Sequence, residues 1–228
     1  LGKSKEAALL HRKAIELTPD FANAHINLVH ILRDLGKLKE AEISTRKAIT
    51  LKTDFAAAHS NLGTILIDLG KLKEAEMSTR EAIKINPNLL KAHYNLGTIC
   101  RENGNLQEAE KSTCKAIELK PDFEKAHYNL GGILRDLGKL KEAETSTRKA
   151  IEINPKSANS YFTLGAILYD LDKHNEAEIF IRKGIELKPD YAEAYSNLGI
   201  IFKDLGNFND SINYYKKAIK LSNQLSSA

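Results

Sequence analysis

Between Ala56 and Leu89 the apolar positions keep a helical period, break, and resume. His59, Leu62, Leu66 and Leu69 fall on one face of a first helix, and Ala75, Thr79, Ala82, Ile83 and Ile85 on one face of a second. The break is the run Asp68-Leu69-Gly70-Lys71, with Gly70 where a left-handed helix C-cap is least strained. Pro87 stops the second helix. Asn88 follows this proline, and Asp122 and Asp190 follow its later counterparts; these residues are expected to cap the next helix. Gly63 and Ala75 are small, so the two helices are expected to approach closely there.

This pattern recurs at a spacing of 34 residues. Leu62-Gly63 returns as Leu96-Gly97, Leu130-Gly131, Leu164-Gly165 and Leu198-Gly199. Ala75 returns as Ala41, Ala109, Ala143 and Ala177, and Pro87 as Pro19, Pro121, Pro155 and Pro189. Such a period marks a solenoid of repeated supersecondary units. The expected units are 22–55, 56–89, 90–123, 124–157, 158–191 and 192–225, after a half unit at 1–21 holding only a second helix, and before a tail at 226–228. The fold class expected is all-α.

Composition narrows the picture little. Of 228 residues 42% are hydrophobic, only 7% are aromatic and none is Trp, so Leu, Ile and Ala must build the core. No apolar run is long enough to span a bilayer. A net charge of +4 is too small to point to nucleic acid or a membrane surface. Two cysteines make no disulfide framework, which favours a reducing, cytoplasmic setting. The chain starts at Leu1 inside a repeat, so its natural N-terminus is expected to lie further upstream.

The pattern His59-x-x-Leu62-Gly63-x-x-Leu66, then Ala75, Thr79 and Pro87, resembles the tetratricopeptide repeat, over essentially the whole chain. Departures exist. His25, His59, His93 and His127 stand where the family has a large aromatic residue, followed by Tyr161 and Tyr195. Thr45, Thr79, Thr113 and Thr147 replace the second-helix aromatic, with Ile181 and Tyr215 later. Val29 replaces the close-packing glycine and Ser211 the alanine, so the first and last units are expected to be softer. The resemblance implies a right-handed superhelix of helix hairpins whose first helices line a concave groove.

Helical geometry, at about 100° per residue, puts Asn61, Thr64 and Asp68 opposite the buried face of the first helix, where residues are expected to meet solvent. Stacking turns each position into a row. The first row is Asn27, Asn61, Asn95, Asn129, Thr163 and Asn197. Asn is a poor choice within an exposed helix, but its amide offers a donor and an acceptor together. It either grips a ligand main chain or bonds to the neighbouring repeat. The row resembles the asparagine ladder of O-linked N-acetylglucosamine transferases, which implies main-chain grip on an extended polypeptide. Adjacent helices at about 8–10 Å match three residues of an extended ligand at about 3.1 Å each. The second row, Asp34, Asp68, Glu102, Asp136, Asp170 and Asp204, is acidic throughout. It either pairs with Arg33, Arg101, Arg135 or Lys203, or selects a basic ligand. Lys91 and Lys125 are the only offsets within the groove. The third row, Ile26, Ser60, Tyr94, Tyr128, Phe162 and Ser196, supplies either an apolar lip or packing between first helices.

Other signals carry less. The four regularly spaced histidines are too far apart, about 8–10 Å, to share a metal whose ligands lie within about 2.1 Å. Cys100 and Cys114 sit at different heights of one hairpin and are not expected to bridge. The pairs Ile26/His30, Ser60/Thr64, Tyr94/Thr98 and Tyr128/Gly132 do not match the Lys–Asn pair of a carboxylate clamp. The chain is therefore expected to be a non-catalytic scaffold for a protein or extended, basic peptide, without cofactor, metal, nucleic acid or membrane. The alternative is the substrate-recognition arm of a larger enzyme, such as a glycosyltransferase. Ala7, Leu10, Ala14 and Ile15 at one end, and Ile212, Tyr215 and Ile219 at the other, are expected to be uncovered and to support end-to-end self-association.

Overall fold

The computed structural model describes the backbone of residues 2–226 and the side chains of residues 6–224. Leu1 of the half unit and residues 227–228 of the tail lie outside the described residues. Among the described residues there are thirteen α-helices and no strand, the all-α repeat that the periodicity predicts. They fall into two compact units, Leu1–Leu119 and Lys120–Ala228.

In the first unit α1 (Gly2–Leu17) precedes three hairpins: α2 (Ala22–Asp34) with α3 (Leu38–Leu51), α4 (Ala56–Asp68) with α5 (Leu72–Ile85), and α6 (Leu90–Glu102) with α7 (Leu106–Leu119). Its core runs through successive hairpins. Leu62 and Leu66 of α4 meet Ala75 of α5 and Ile99 of α6, with Ile49 of α3 against them. The second unit pairs α8 (Glu124–Asp136) with α9 (Leu140–Ile153), α10 (Ala158–Asp170) with α11 (His174–Leu187), and α12 (Ala192–Asp204) with α13 (Phe208–Ser226). Its core gathers Phe162, Leu164 and Leu168, Ile181 of α11, and Leu198 and Ile201 of α12.

Each hairpin turns on a left-handed residue. Gly70 has φ 71°, its N–H reaches the Ile67 carbonyl, and the Lys71 N–H reaches that of Leu66. That pair of bonds closes a Schellman cap. In the fifth full unit Asp172 takes the same conformation, at φ 62°.

Close approach within a hairpin also has a visible cause. A Cβ added at Gly63, Gly97 or Gly131 would lie 2.2, 2.2 or 2.0 Å from the hydroxyl of Thr79, Thr113 or Thr147. These threonines are buried, and Thr147 Oγ1 donates to the Ala143 carbonyl at 2.8 Å. Where Phe162 enlarges one side, the other gives way: Gly184 stands in place of the repeating alanine, and a Cβ there would meet the Phe162 ring at 2.4 Å.

The expected caps do not form. The N-cap positions of α6, α8 and α12 are Leu89, Phe123 and Tyr191, one residue beyond Asn88, Asp122 and Asp190, and none has a side-chain cap bond. An apolar N-cap residue packs instead: Tyr191 stacks on Phe162 with ring centroids 4.6 Å apart. The first N–H groups find main-chain acceptors, as Ala92 does at Leu89. Tertiary burial outweighs a cap of about 1 kcal/mol.

Candidate peptide-binding surface

The first helices carry the asparagine and acidic rows, and neighbouring repeats decide what those rows present. Within the first unit α4 and α6 pack side by side, as α10 does with α8 and α12 in the second. A first helix is thus covered both by its hairpin partner and by the first helices of adjacent units. The position opposite the partner is therefore not free. Asn61, Asn95 and Asn129 are 6%, 3% and 6% exposed, against the expectation that they face solvent.

Asn95 Nδ2 donates to the Ser60 carbonyl at 3.1 Å and to Thr64 Oγ1 at 2.9 Å, both on α4. Its donor side is consumed in joining two repeats. Asn61 is reached differently: Lys91 Nζ donates to its Oδ1 at 2.7 Å. Asn27 is exposed, and Lys125 is exposed as well. Asn197 is half-buried and makes no hydrogen bond among the described residues. Ala166 stands where Thr64 serves Asn95, so the hydroxyl that would hold this amide is missing. Asn197 lines a small cavity of about 110 Å³ with Arg135, Tyr169 and Ile200.

The acidic row is largely paired. Arg33 Nη2 reaches Asp68 at 2.7 Å, and Arg135 Nε reaches Asp170 at 2.5 Å, in each case one repeat on. Tyr169 takes the arginine's place for Asp204, donating from its hydroxyl at 2.5 Å and holding that carboxyl below its ordinary pKa. Asp34 and Glu102 make no ion pair or hydrogen bond among the described residues, and both are exposed; Asp136 is also exposed. In the third row Tyr94 and Tyr128 are half-buried, whereas Ile26, Ser60 and Phe162 are buried.

The histidines have a role that periodicity did not reveal. Nε2 of His25, His59, His93 and His127 sits 3.1, 3.0, 2.8 and 2.8 Å from the carbonyl six residues earlier, at Pro19, Thr53, Pro87 and Pro121. Tyr195 sends its hydroxyl to the Pro189 carbonyl at 3.0 Å. The ring tethers the turn that enters each unit. A polar ring six residues after the turn residue is the sequence signal for it. Cys100 and Cys114 form no disulfide, and burial pushes the Cys100 thiol up to about 12. No group of three metal-ligating side chains occurs among the described residues, and no described helix is long and apolar enough to cross a membrane.

Profiles of the tetratricopeptide repeat match residues 22–55 and 56–89, 79–111 and 147–179, and 124–157 and 192–224. The chain belongs to the tetratricopeptide repeat family. No curated protein matches it. Among solved structures, YrrB, described as a tetratricopeptide protein with an unusual peptide-binding site, is 25% identical, with a TM-score of 0.63 over 82% of this chain and 97% of its own. A tetratricopeptide protein from Parabacteroides merdae is 22% identical, with a TM-score of 0.75 over 96% of this chain and 87% of its own. The Cut9–Hcn1 structure is 16% identical, with a TM-score of 0.88 over 97% of this chain and 44% of that one. The last two show the fold alone. Protein or peptide binding is the function that this family's fold serves.

Proposed function

We propose that the tetratricopeptide chain is a non-catalytic cytoplasmic scaffold that takes an extended, basic peptide along its first-helix face. Asn197 carries the reading. It is a half-buried amide without a partner among the described residues, beside a cavity of about 110 Å³. Its donor and acceptor can both engage one peptide unit, and the cavity accepts a small side chain. Asn27 offers the corresponding group in the first unit. Asn61, Asn95 and Asn129 continue the row but are nearly buried, with Asn61 Oδ1 bound by Lys91 and Asn95 Nδ2 by α4, so they are the weaker rungs. Asp34 and Glu102 are the carboxylates in the first unit left to attract Lys or Arg, because Asp68 is already bound by Arg33. Tyr94, Tyr128 and Lys91 flank this line, with Lys125, Asp136, Asp170 and Asp204 along it in the second unit.

Main-chain grip is weak, since each hydrogen bond adds about 0.5–1.5 kcal/mol net against an association cost of at least about 4 kcal/mol. Side chains must supply the rest. Panning displayed random dodecapeptides on the intact chain tests the reading. Selected peptides should be enriched in Lys and Arg, and should lose about tenfold in affinity on Asn197→Ala, roughly one hydrogen bond. Selected peptides that bind Asn197→Ala as tightly as the parent chain would refute it.

A further inference from the structure

The second helices form a different surface, and there the chain carries a template for its own ligand. Between α3, α4 and α5 lies an open cleft of about 440 Å³, with Ile49, Leu62 and Leu66 as its floor and Arg46, His59 and Ser78 around it. One repeat earlier, between α1, α2 and α3, a cleft of about 480 Å³ has the same construction, with Arg12, His25 and Ser44 in the corresponding places. Exposed apolar side chains, Ile43 at 70% and Met77 at 66%, stand on the two rims. None of the asparagine or acidic rows lines either cleft.

In the last two repeats these positions carry rings. The counterparts of Arg46, His59 and Ser78, 102 residues on, are Arg148, Tyr161 and Phe180. Phe180 stacks on Tyr161 with centroids 6.2 Å apart, and the Arg148 guanidinium lies 5.1 Å from the Phe180 centroid. One unit further the counterparts are Arg182, Tyr195 and Tyr214. Tyr214 packs on Phe202 at 5.2 Å, and Arg182 lies 5.6 Å from the Tyr214 centroid. Twice, then, an aromatic ring rooted at this helix position lies under an arginine. In the earlier repeats the position is serine (Ser44, Ser78, Ser112 and Ser146), and Ser78 turns its hydroxyl back to the His59 carbonyl at 3.0 Å. In the two clefts the arginine, the flat histidine ring and the apolar floor remain, but the second ring is absent.

We propose that the two clefts of the first unit are docking sites for aromatic side chains of a partner polypeptide, each held as Phe180 is held within the chain. An arginine over a ring selects aromatic over aliphatic occupants, because only the ring has a negative face for the cation. Arg12 and Arg46 are anchored at the mouths by Glu40 at 2.5 Å and Glu74 at 2.6 Å, which leaves their guanidinium faces to stack. The two clefts lie one repeat apart, on either side of α3. The partner segment is therefore a stretch carrying two aromatic residues, one for each cleft, with both rings directed at the second-helix face.

The probe is the peptide Ac-Phe-Ser-Ser-Phe-NH2, titrated into the intact chain while the methyl resonances of Ile49, Leu62 and Leu66 are followed, with Ac-Leu-Ser-Ser-Leu-NH2 as comparison. Two variants accompany it: Ser78→Phe, and His59→Tyr with Ser78→Phe, which copies the Tyr161–Phe180 pair. The aromatic peptide should shift these methyls at least tenfold more readily than the leucine peptide, a difference of about 1.4 kcal/mol. The copied pair should raise the melting temperature and remove the response of those methyls, while Asn197→Ala leaves it intact. An equal response to both peptides, no response to the aromatic one, or a lower melting temperature for both filled variants would overturn the proposal. If Ser78→Phe alone melts lower and the double variant higher, the proposal stands, since the ring then needs its tyrosine partner.

Discussion

At the level of single residues, the period of the sequence reports backbone constraints faithfully. Gly70 and its counterparts were readable because a left-handed cap needs a residue without Cβ strain. Asp172 is the exception, and it yields a prediction. Holding Asp rather than Gly at φ 62° costs roughly 1 kcal/mol. Asp172→Gly should therefore raise stability by about that amount in urea melts, with an unchanged m-value; a destabilised variant would contradict it. Gly131 is constrained by space rather than by φ. Its added Cβ would meet Thr147 Oγ1 at 2.0 Å, and that hydroxyl is fixed to the Ala143 carbonyl. Gly131→Ala should cost about 1–3 kcal/mol, and Thr147→Ala in the same chain should restore much of it. A double-mutant cycle without coupling would show that the helices simply move apart. The spacing of the histidine tethers is written in the sequence, a polar ring six residues after the turn residue, but their acceptor is not, because it is a carbonyl, which every residue has.

Between elements, a helical wheel shows which face meets the hairpin partner but not which face meets the next repeat. That is why the hydrophobic stripes of α4 and α5 were legible while the surroundings of Asn61, Asn95 and Asn129 were not. The same blindness explains the caps: nothing in Asp122 or Asn88 tells that Phe123 and Leu89 start their helices. Asn95→Ala should cost stability, about 1–3 kcal/mol, because the Ser60 carbonyl and Thr64 hydroxyl lose their buried donor. Asn197→Ala, with no bond to lose, should stay within about 0.5 kcal/mol of the parent chain. Equal costs in chemical denaturation would remove the distinction drawn between these two rungs.

The charge lattice of the second helices also acts between elements. Lys71 and Arg46 both hydrogen-bond Glu42 and hold its carboxyl below the ordinary value; burial opposes them but loses. At Glu144 burial pushes the carboxyl up, and Lys173 and Arg148 outweigh it. Both folded pKa values are depressed, so this stabilisation is fully present above the unfolded value of about 4.3 and disappears as pH falls through the folded value. Glu42→Gln with Glu144→Gln should flatten the loss of stability below about pH 4.3 and leave its slope between pH 6 and 8 unchanged. A parent-like acid limb in the double variant would contradict this.

Across the whole molecule, a repeat buries each unit's face on the next, and a face without a neighbour must be polar or find a partner. Of the residues expected to be uncovered, Leu10 of α1 is 64% exposed and Ile212 and Ile219 of α13 are 50% and 61% exposed, whereas Ile15 packs against the core around Leu28 and Leu32. Tyr215, also expected there, is half-buried instead: a Cβ at Gly199 would meet its ring at 2.8 Å, so it belongs to the α12–α13 hairpin. A variant that probes association should therefore spare Tyr215. Contact between the α1 face of one copy and the α13 face of another is heterologous, so it continues copy by copy instead of closing into a dimer. The isolated chain of 228 residues should accordingly show a light-scattering mass that climbs steadily with concentration. Ile212→Lys with Ile219→Lys places two charges on the α13 face and should return the mass to that of a monomer without lowering the melting temperature. A mass that is monomeric at every concentration would show that these faces do not associate. A plateau at twice the monomer mass would show a closed contact and exclude the head-to-tail one.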